Sequence, residues 1–223
     1  SDADTNFFAD CNGDGSVEGH VSDAIAYLGW AFGGGSPPPC LAACDADDLY
    51  VPGRLRWQVD FLERSPDYVA VTGAFATADS RLRRQVPLLT DTPERDIEHE
   101  LQDGDPVTHQ CAWLVRRKEV MSLGGRRAWF EIADDLDLQC RIGFLGKVRF
   151  VPEVVYVYRL YEGSITHRLT SAKRAFFGQA VRDFARQRRE TGTDDLDEER
   201  LPVFDPDAVS AAVLSASEQF AGH

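Results

Sequence analysis

The chain has 223 residues, 43% of them hydrophobic and 27% charged, with a formal net charge of -13 at pH 7. This is a globular composition with enough apolar residues for a core, and its negative charge argues against a nucleic-acid partner, because a phosphate backbone would be repelled. No apolar run is long enough for a transmembrane segment, and Ser1, Asp2 and Asp4 are acidic or neutral where a secretion signal would be basic, so a cytoplasmic location is expected.

Composition changes sharply near residue 44. Before it, Asp10-Cys11-Asn12-Gly13-Asp14-Gly15-Ser16 places hard oxygen ligands at the first, third and fifth positions of a loop and Gly at the sixth, where the chain must turn. A short amphipathic helix is expected next, with Ser22 as N-cap and Ile25, Leu28 and Phe32 on one face. Gly33-Gly34-Gly35-Ser36-Pro37-Pro38-Pro39 then stops the helix and continues as a stiff extended linker. The twelfth loop position is Val21 and the next carboxylate, Asp23, comes two residues late, so an acidic turn ahead of a helix stands as the alternative to a calcium site. Residues 6 to 44 resemble a dockerin type I repeat. The resemblance implies Ca²⁺ on Asp10, Asn12, Asp14, Ser16 and Asp23, and a cohesin-like or other protein partner. Five cysteines, Cys11, Cys40, Cys44, Cys111 and Cys140, make no paired C-x-x-C zinc set. A Cys11 disulfide to Cys40 or Cys44, and small buried thiols, are both open readings.

The longer segment, 45 to 223, alternates strand and helix patterns, as α/β architecture does. It opens with Asp45-Ala46-Asp47-Asp48, followed by Pro52-Gly53-Arg54-Leu55, a helical pattern with Leu55, Val59 and Leu62 on one face, and an apolar strand from Tyr68 to Thr72. Carboxylates at i and i+2 of an extended chain project to the same side and can share one Mg²⁺ or Mn²⁺; a solvated acidic loop is the alternative. Downstream, His109 to Val115 reads as a strand leading into Arg116-Arg117-Lys118-Glu119-Val120 and the stop Gly124-Gly125. Ala133-Asp134-Asp135-Leu136-Asp137-Leu138 then opens a helix carrying Leu138, Ile142 and Leu145, its acids favoured by the N-terminal dipole. Val148 to Tyr158 reads as two short strands around Pro152, followed by Arg159 and Gly163-Ser164-Ile165. Arg174 to Arg189 reads as a helix with an exposed basic face, Asp194 to Glu199 as a solvated acidic turn, and Ala208 to Phe220 as a last helix.

The order of these motifs is similar to the acceptor-side half of family-2 glycosyltransferases of the GT-A fold, over residues 45 to about 170. The resemblance implies a metal-dependent inverting transfer from a nucleotide-sugar donor to a glycan, lipid or protein acceptor. It assigns Mg²⁺ or Mn²⁺ to Asp45 and Asp47, with Asp48 capping the next helix. The catalytic base falls on Asp135, and substrate contacts on Asp134, Arg159 and His167. No Gln-x-x-Arg-Trp follows, which disfavours a processive synthase. The expected fold is therefore α/β: an incomplete GT-A (nucleotide-diphospho-sugar transferase-like) mixed sheet with flanking helices, plus a small helical dockerin-like N-terminal segment. The family's nucleotide-binding strands have no counterpart before Asp45, so a half-sheet with exposed apolar edges is expected. Two other functions remain open: a calcium-dependent interaction module with a passive remainder, and, ranked last, a glycoside hydrolase using Asp47 and Asp135.

Overall fold

A computed structural model describes residues 40–41, 48–83, 85–160 and 171–205. The molecule is mixed α/β. Two long strands, β3 (Tyr68–Ala78) and β7 (Lys147–Arg159), run parallel at its centre. One side of β3 carries β6 (Leu114–Arg116) and, further along, β4 (Gln85–Leu88), both antiparallel to it. Beyond β6 lies β1 (Cys40–Leu41), so the sheet reaches past the boundary expected at residue 44. The other side of β7 carries β5 (Arg95–Asp96) and β2 (Leu49–Tyr50), again antiparallel. Among the described residues seven strands form this one mixed sheet.

The helices among the described residues are α1 (Arg54–Arg64), α2 (Glu98–Gln102), α3 (Arg117–Ser122), α4 (Asp134–Ile142) and α5 (Ser171–Thr191). Successive strand residues point to opposite faces. Val71 and Leu114 accordingly pack with Leu55 and Leu62 of α1, while Ala70, Trp113 and Val115 pack with Leu101 of α2 and Leu138 and Ile142 of α4. Both faces of β3 are thus covered, which is why its sequence is a nearly unbroken apolar run. Behind α4, Phe130 joins Phe177, Val181 and Phe184 of α5 in a second apolar cluster, with Trp129 against its rings.

Several local expectations change. Residues 148 to 158 form one continuous strand rather than two. Its register with β3 jumps from Gly73↔Val151 to Ala74↔Val154, so Pro152 and Glu153 fall outside the pairing. Proline has no N–H for the ladder and is placed at this irregularity. Opposite it, a Cβ on Gly73 would lie 2.8 Å from the Glu153 carbonyl oxygen and 2.8 Å from Val155 Cγ1, so only glycine allows the two backbones to approach. The stretch from His109 is a 3₁₀ turn, Gln110–Ala112, ahead of β6. Leu145 lies beyond the end of α4 and is 38% exposed.

The turn after α5 is solvated as expected at Asp197, Glu198 and Glu199, but not at its first acid. Asp194 is 1% exposed and accepts hydrogen bonds from Arg127 at 2.6 Å and from Arg188 at 2.8 Å. Arg127 also pairs with the buried Asp137, which in turn takes the Arg141 Nε at 2.9 Å. This network fastens α5 and the turn to α4. The basic face of α5 is present as expected, with Arg174, Arg182, Arg186 and Arg189 exposed. Cys111 and Cys140 are buried and form no disulfide with each other; the choice between a disulfide and small thiols turns on Cys11 and Cys44, which lie outside the described residues. The last expected helix, Ala208 to Phe220, lies outside the described residues.

Candidate functional site

β3 and β7 are parallel, so their carboxyl ends lie side by side at Ala78 and Arg159. In open α/β sheets this is the end where ligands bind. A short connection, 143–146, joins α4 to β7, and a helix feeding a strand through so short a loop runs antiparallel to it. The N-terminus of α4, carrying Asp134 and Asp135, therefore returns toward the carboxyl end of β7. The 3₁₀ turn packs against β3, β7 and α4 together, and it fills the space between them.

The start of α4 is tied to that turn by one side chain. Arg126 Nη1 donates to Asp134 at 2.9 Å and Arg126 Nη2 donates to Gln110 Oε1 at 2.6 Å. Ala133, just before the helix, has φ 64°, a left-handed conformation that a β-carbon disfavours. Asp135 is half-buried, and burial pushes its carboxyl above the usual aspartate range. The negative charge of Asp134 adds to that rise, while the Leu136 N–H, His109 and Arg126 oppose it. A carboxylate of this kind holds a proton more readily than a solvent-exposed one and suits proton abstraction from a hydroxyl.

His109 faces a wall of aromatic rings. Its imidazole stacks on Tyr156 at 5.5 Å between centroids and 18° between planes, with Tyr158 at 5.2 Å and Phe75 at 6.0 Å. Its Nδ1 accepts the Cys111 N–H at 3.3 Å within its own turn. The hydroxyl of Tyr156 donates to the Asp48 carboxylate, and burial keeps that phenol protonated. Asp48, 2% exposed, also accepts the backbone N–H of Arg159 at 2.7 Å. It therefore fastens the chain ahead of β2 to the end of β7 and does not cap α1. The N-cap of α1 is Gly53, at φ 78°, without a side-chain bond.

The site residues expected from sequence divide into two groups. Asp134 and Asp135 open α4 beside the 3₁₀ turn, and Arg159 ends β7 at the carboxyl end of the sheet. Arg159 Nε is buried there with no hydrogen-bond partner among the described residues, an arrangement suited to an incoming anion. Asp45, Asp47 and His167, and the calcium positions Asp10, Asn12, Asp14, Ser16 and Asp23, lie outside the described residues. Within the described residues no group of three or more His, Cys, Asp or Glu is gathered to hold a metal, and no helix is long and apolar enough to cross a membrane.

Sequence reasoning missed His109 and Arg126 as members of this site. His109 was hidden at the head of a stretch that reads as a strand, and Arg126 stands in a run of charged and glycine residues with no periodic signal. Only the link from Gln110 through Arg126 to Asp134, and the rings packed around His109, mark them. No protein-family model matches the chain, and no curated protein matches its sequence significantly.

Proposed function

We propose that residues 45 to about 170 form the acceptor side of an inverting, metal-dependent glycosyltransferase, with Asp135 as the base. The observation that carries this reading is Asp135 itself: a half-buried carboxylate with a raised pKa in the first turn of α4, a helix start that Arg126 ties to the 3₁₀ turn packed on β3 and β7. In the reaction, Asp135 takes the proton of an acceptor hydroxyl. The hydroxyl oxygen attacks the anomeric carbon of a nucleotide sugar, and the bond from that carbon to the diphosphate breaks with inversion.

Asp45 and Asp47 supply the hard oxygen donors that Mg²⁺ or Mn²⁺ takes, and Asp47 is one peptide bond from the firmly anchored Asp48. The cation, when bound, would neutralise the departing diphosphate. Arg159, with its unpartnered Nε, would meet the same anionic group. Asp134, engaged by Arg126, orients the start of the helix that presents the base. His167 would contribute to the acceptor or diphosphate. The same reading gives the fold as the GT-A type, which a mixed sheet with helices on both faces supports only in outline. At the N-terminal segment the proposal keeps a Ca²⁺ loop and a cohesin-like or other protein partner, on the resemblance alone.

The test uses the whole chain with Mn²⁺, a panel of nucleotide sugars and glycan, lipid and peptide acceptors, following release of nucleoside diphosphate and product. Turnover is expected, and Asp135→Asn should lower kcat by about 10²–10⁴, the usual weight of a general base. Transfer that survives unchanged in Asp135→Asn would remove the proposal.

A further inference from the structure

Two neighbouring arginines hold α4 at two levels. Arg126 is exposed and reaches Asp134, the first residue of the helix, at 2.9 Å, and Gln110 of the 3₁₀ turn at 2.6 Å. Arg127 turns inward. Its Nε donates to Asp137, one turn further along the helix, at 3.0 Å, and its Nη2 takes the other oxygen of the same carboxylate. Its Nη1 donates to Asp194 at 2.6 Å. A planar fork of charged hydrogen bonds fixes the direction of a side chain as well as its distance. Asp194 is itself held by Arg188 of α5 at 2.8 Å and by the backbone N–H groups of Leu196 at 3.0 Å and Asp197 at 3.1 Å.

The chain just before Arg126 is fixed from the same helix. Arg141, whose Nε donates to Asp137 at 2.9 Å, gives Nη1 to the Leu123 carbonyl at 3.0 Å and Nη2 to the Gly125 carbonyl at 2.6 Å. A Cβ added to Gly124 or Gly125 would meet nothing within 4 Å, so backbone bonds rather than packing place this stretch. Arg126 thus stands between a carbonyl gripped by Arg141 and a side chain gripped by Asp137 and Asp194. Apolar packing of Phe130 with Phe177 and Phe184 already joins α5 to α4. A buried ion network adds little net stability beyond what apolar residues of similar size supply. What these ions add is direction.

We propose that Asp194, acting through Arg127, is a positioning residue for the candidate site: it sets where Arg126 meets Asp134 and Gln110, and with them the first turn of α4, which carries Asp135. Residues 171–205, beyond the glycosyltransferase-like segment, thereby hold that site in register. This rests on the transferase reading only for the reaction at Asp135.

The order of the Arg126 side chain is read without turnover, from the ¹⁵Nε–¹H heteronuclear NOE of the whole chain, the signal being assigned by its loss in Arg126→Ala. In the wild type it should be as high as that of Arg127; a freely rotating Arg126 overturns the proposal, whether or not any other variant folds. In Asp194→Asn the value should fall toward that of a solvent-exposed arginine. Asp197→Asn, at a more exposed acid that lies 2.6 Å from Arg188 and 3.7 Å from Arg127, should lower it part of the way, and decides alone if Asp194→Asn does not fold. Gly73→Ala, which disturbs the sheet elsewhere, should leave it unchanged. An Arg126 equally ordered in these acid variants, or equally loosened by Gly73→Ala, overturns the proposal. Where the chain transfers sugar, Asp194→Asn should lower kcat by up to about 10²-fold, the weight of an ångström's misplacement. In Arg126→Ala the same change should lower kcat no further, because both act through one link; losses that multiply overturn the proposal. Arg126 loosened in a chain that transfers no sugar would keep the positioning and discard the transferase; transfer with Arg126 unmoved would do the reverse.

Discussion

Burial raises the pKa of Asp135, and the adjacent Asp134 adds to the rise. Asp194 feels the same burial, yet the hydrogen bonds and charges of Arg127 and Arg188 outweigh it and hold its carboxyl below the ordinary value. The two aspartates therefore contribute to stability with opposite signs. For Asp135, folding favours the protonated form, so its ionised state costs stability at neutral pH; Asp135→Asn should raise the urea midpoint while removing activity, the usual trade at a functional site. For Asp194 the stabilising contribution is full above the unfolded value, near 3.8, and is lost as pH falls through the depressed folded value. Asp194→Asn at pH 7 leaves Arg127 and Arg188 facing a neutral group in a buried site, and should cost about 3–5 kcal/mol by chemical denaturation. Its stability should also fall less than the wild type's on acidification. A loss under about 1 kcal/mol would mean that the cluster is solvated after all.

Elements differ in how much of them local pattern could foretell. Helix α1 follows from the spacing of Leu55 and Leu62, and the start of α4 from its crowded acids. The run from His109 is apolar enough to read as a strand, but its carbonyls are claimed from afar. Arg54 donates to those of Cys111 and Trp113, and Gln58 to that of Ala112. A segment whose carbonyls are taken by side chains of another helix has no need of a strand ladder, and a 3₁₀ turn results. The irregular stretch of β7 is similar: Pro152 marks a break in the sequence, but the strand continues because Gly73 lets β3 stay alongside. Gly73→Ala should force that contact apart and destabilise the fold by about 1–3 kcal/mol, read as a lowered urea midpoint. An unchanged midpoint would show that the Glu153 carbonyl yields easily.

Taken whole, the sheet is better protected than a half-sheet should be. β3 and β7 each have strands on both sides, and the outer strands β1, β2 and β5 are two residues long. Short edges offer little template for another chain. The exception is β4, exposed along its length, with Val86 at 57% and Leu88 at 38%. Val86→Lys should reduce self-association in light scattering at high concentration while leaving the melting temperature within about 2 °C, since an exposed position contributes little to stability. A melting temperature well below the wild type's would place Val86 in a packed contact instead.

The α/β class, the start of the central strand β3, helix α1 and the acidic start of α4 could be read from periodicity and composition, because each depends on residues close together along the chain. The burial of Asp194, the anchoring of Asp48 to β7 and the turn at Gln110 could not. Each joins segments tens of residues apart, and a charge or a histidine looks the same in the sequence whether water or a distant partner surrounds it. Asp194 shows this most clearly: in its own stretch of acids it reads as solvated, and only Arg127 and Arg188, brought in by α4 and α5 packing, make it part of the interior.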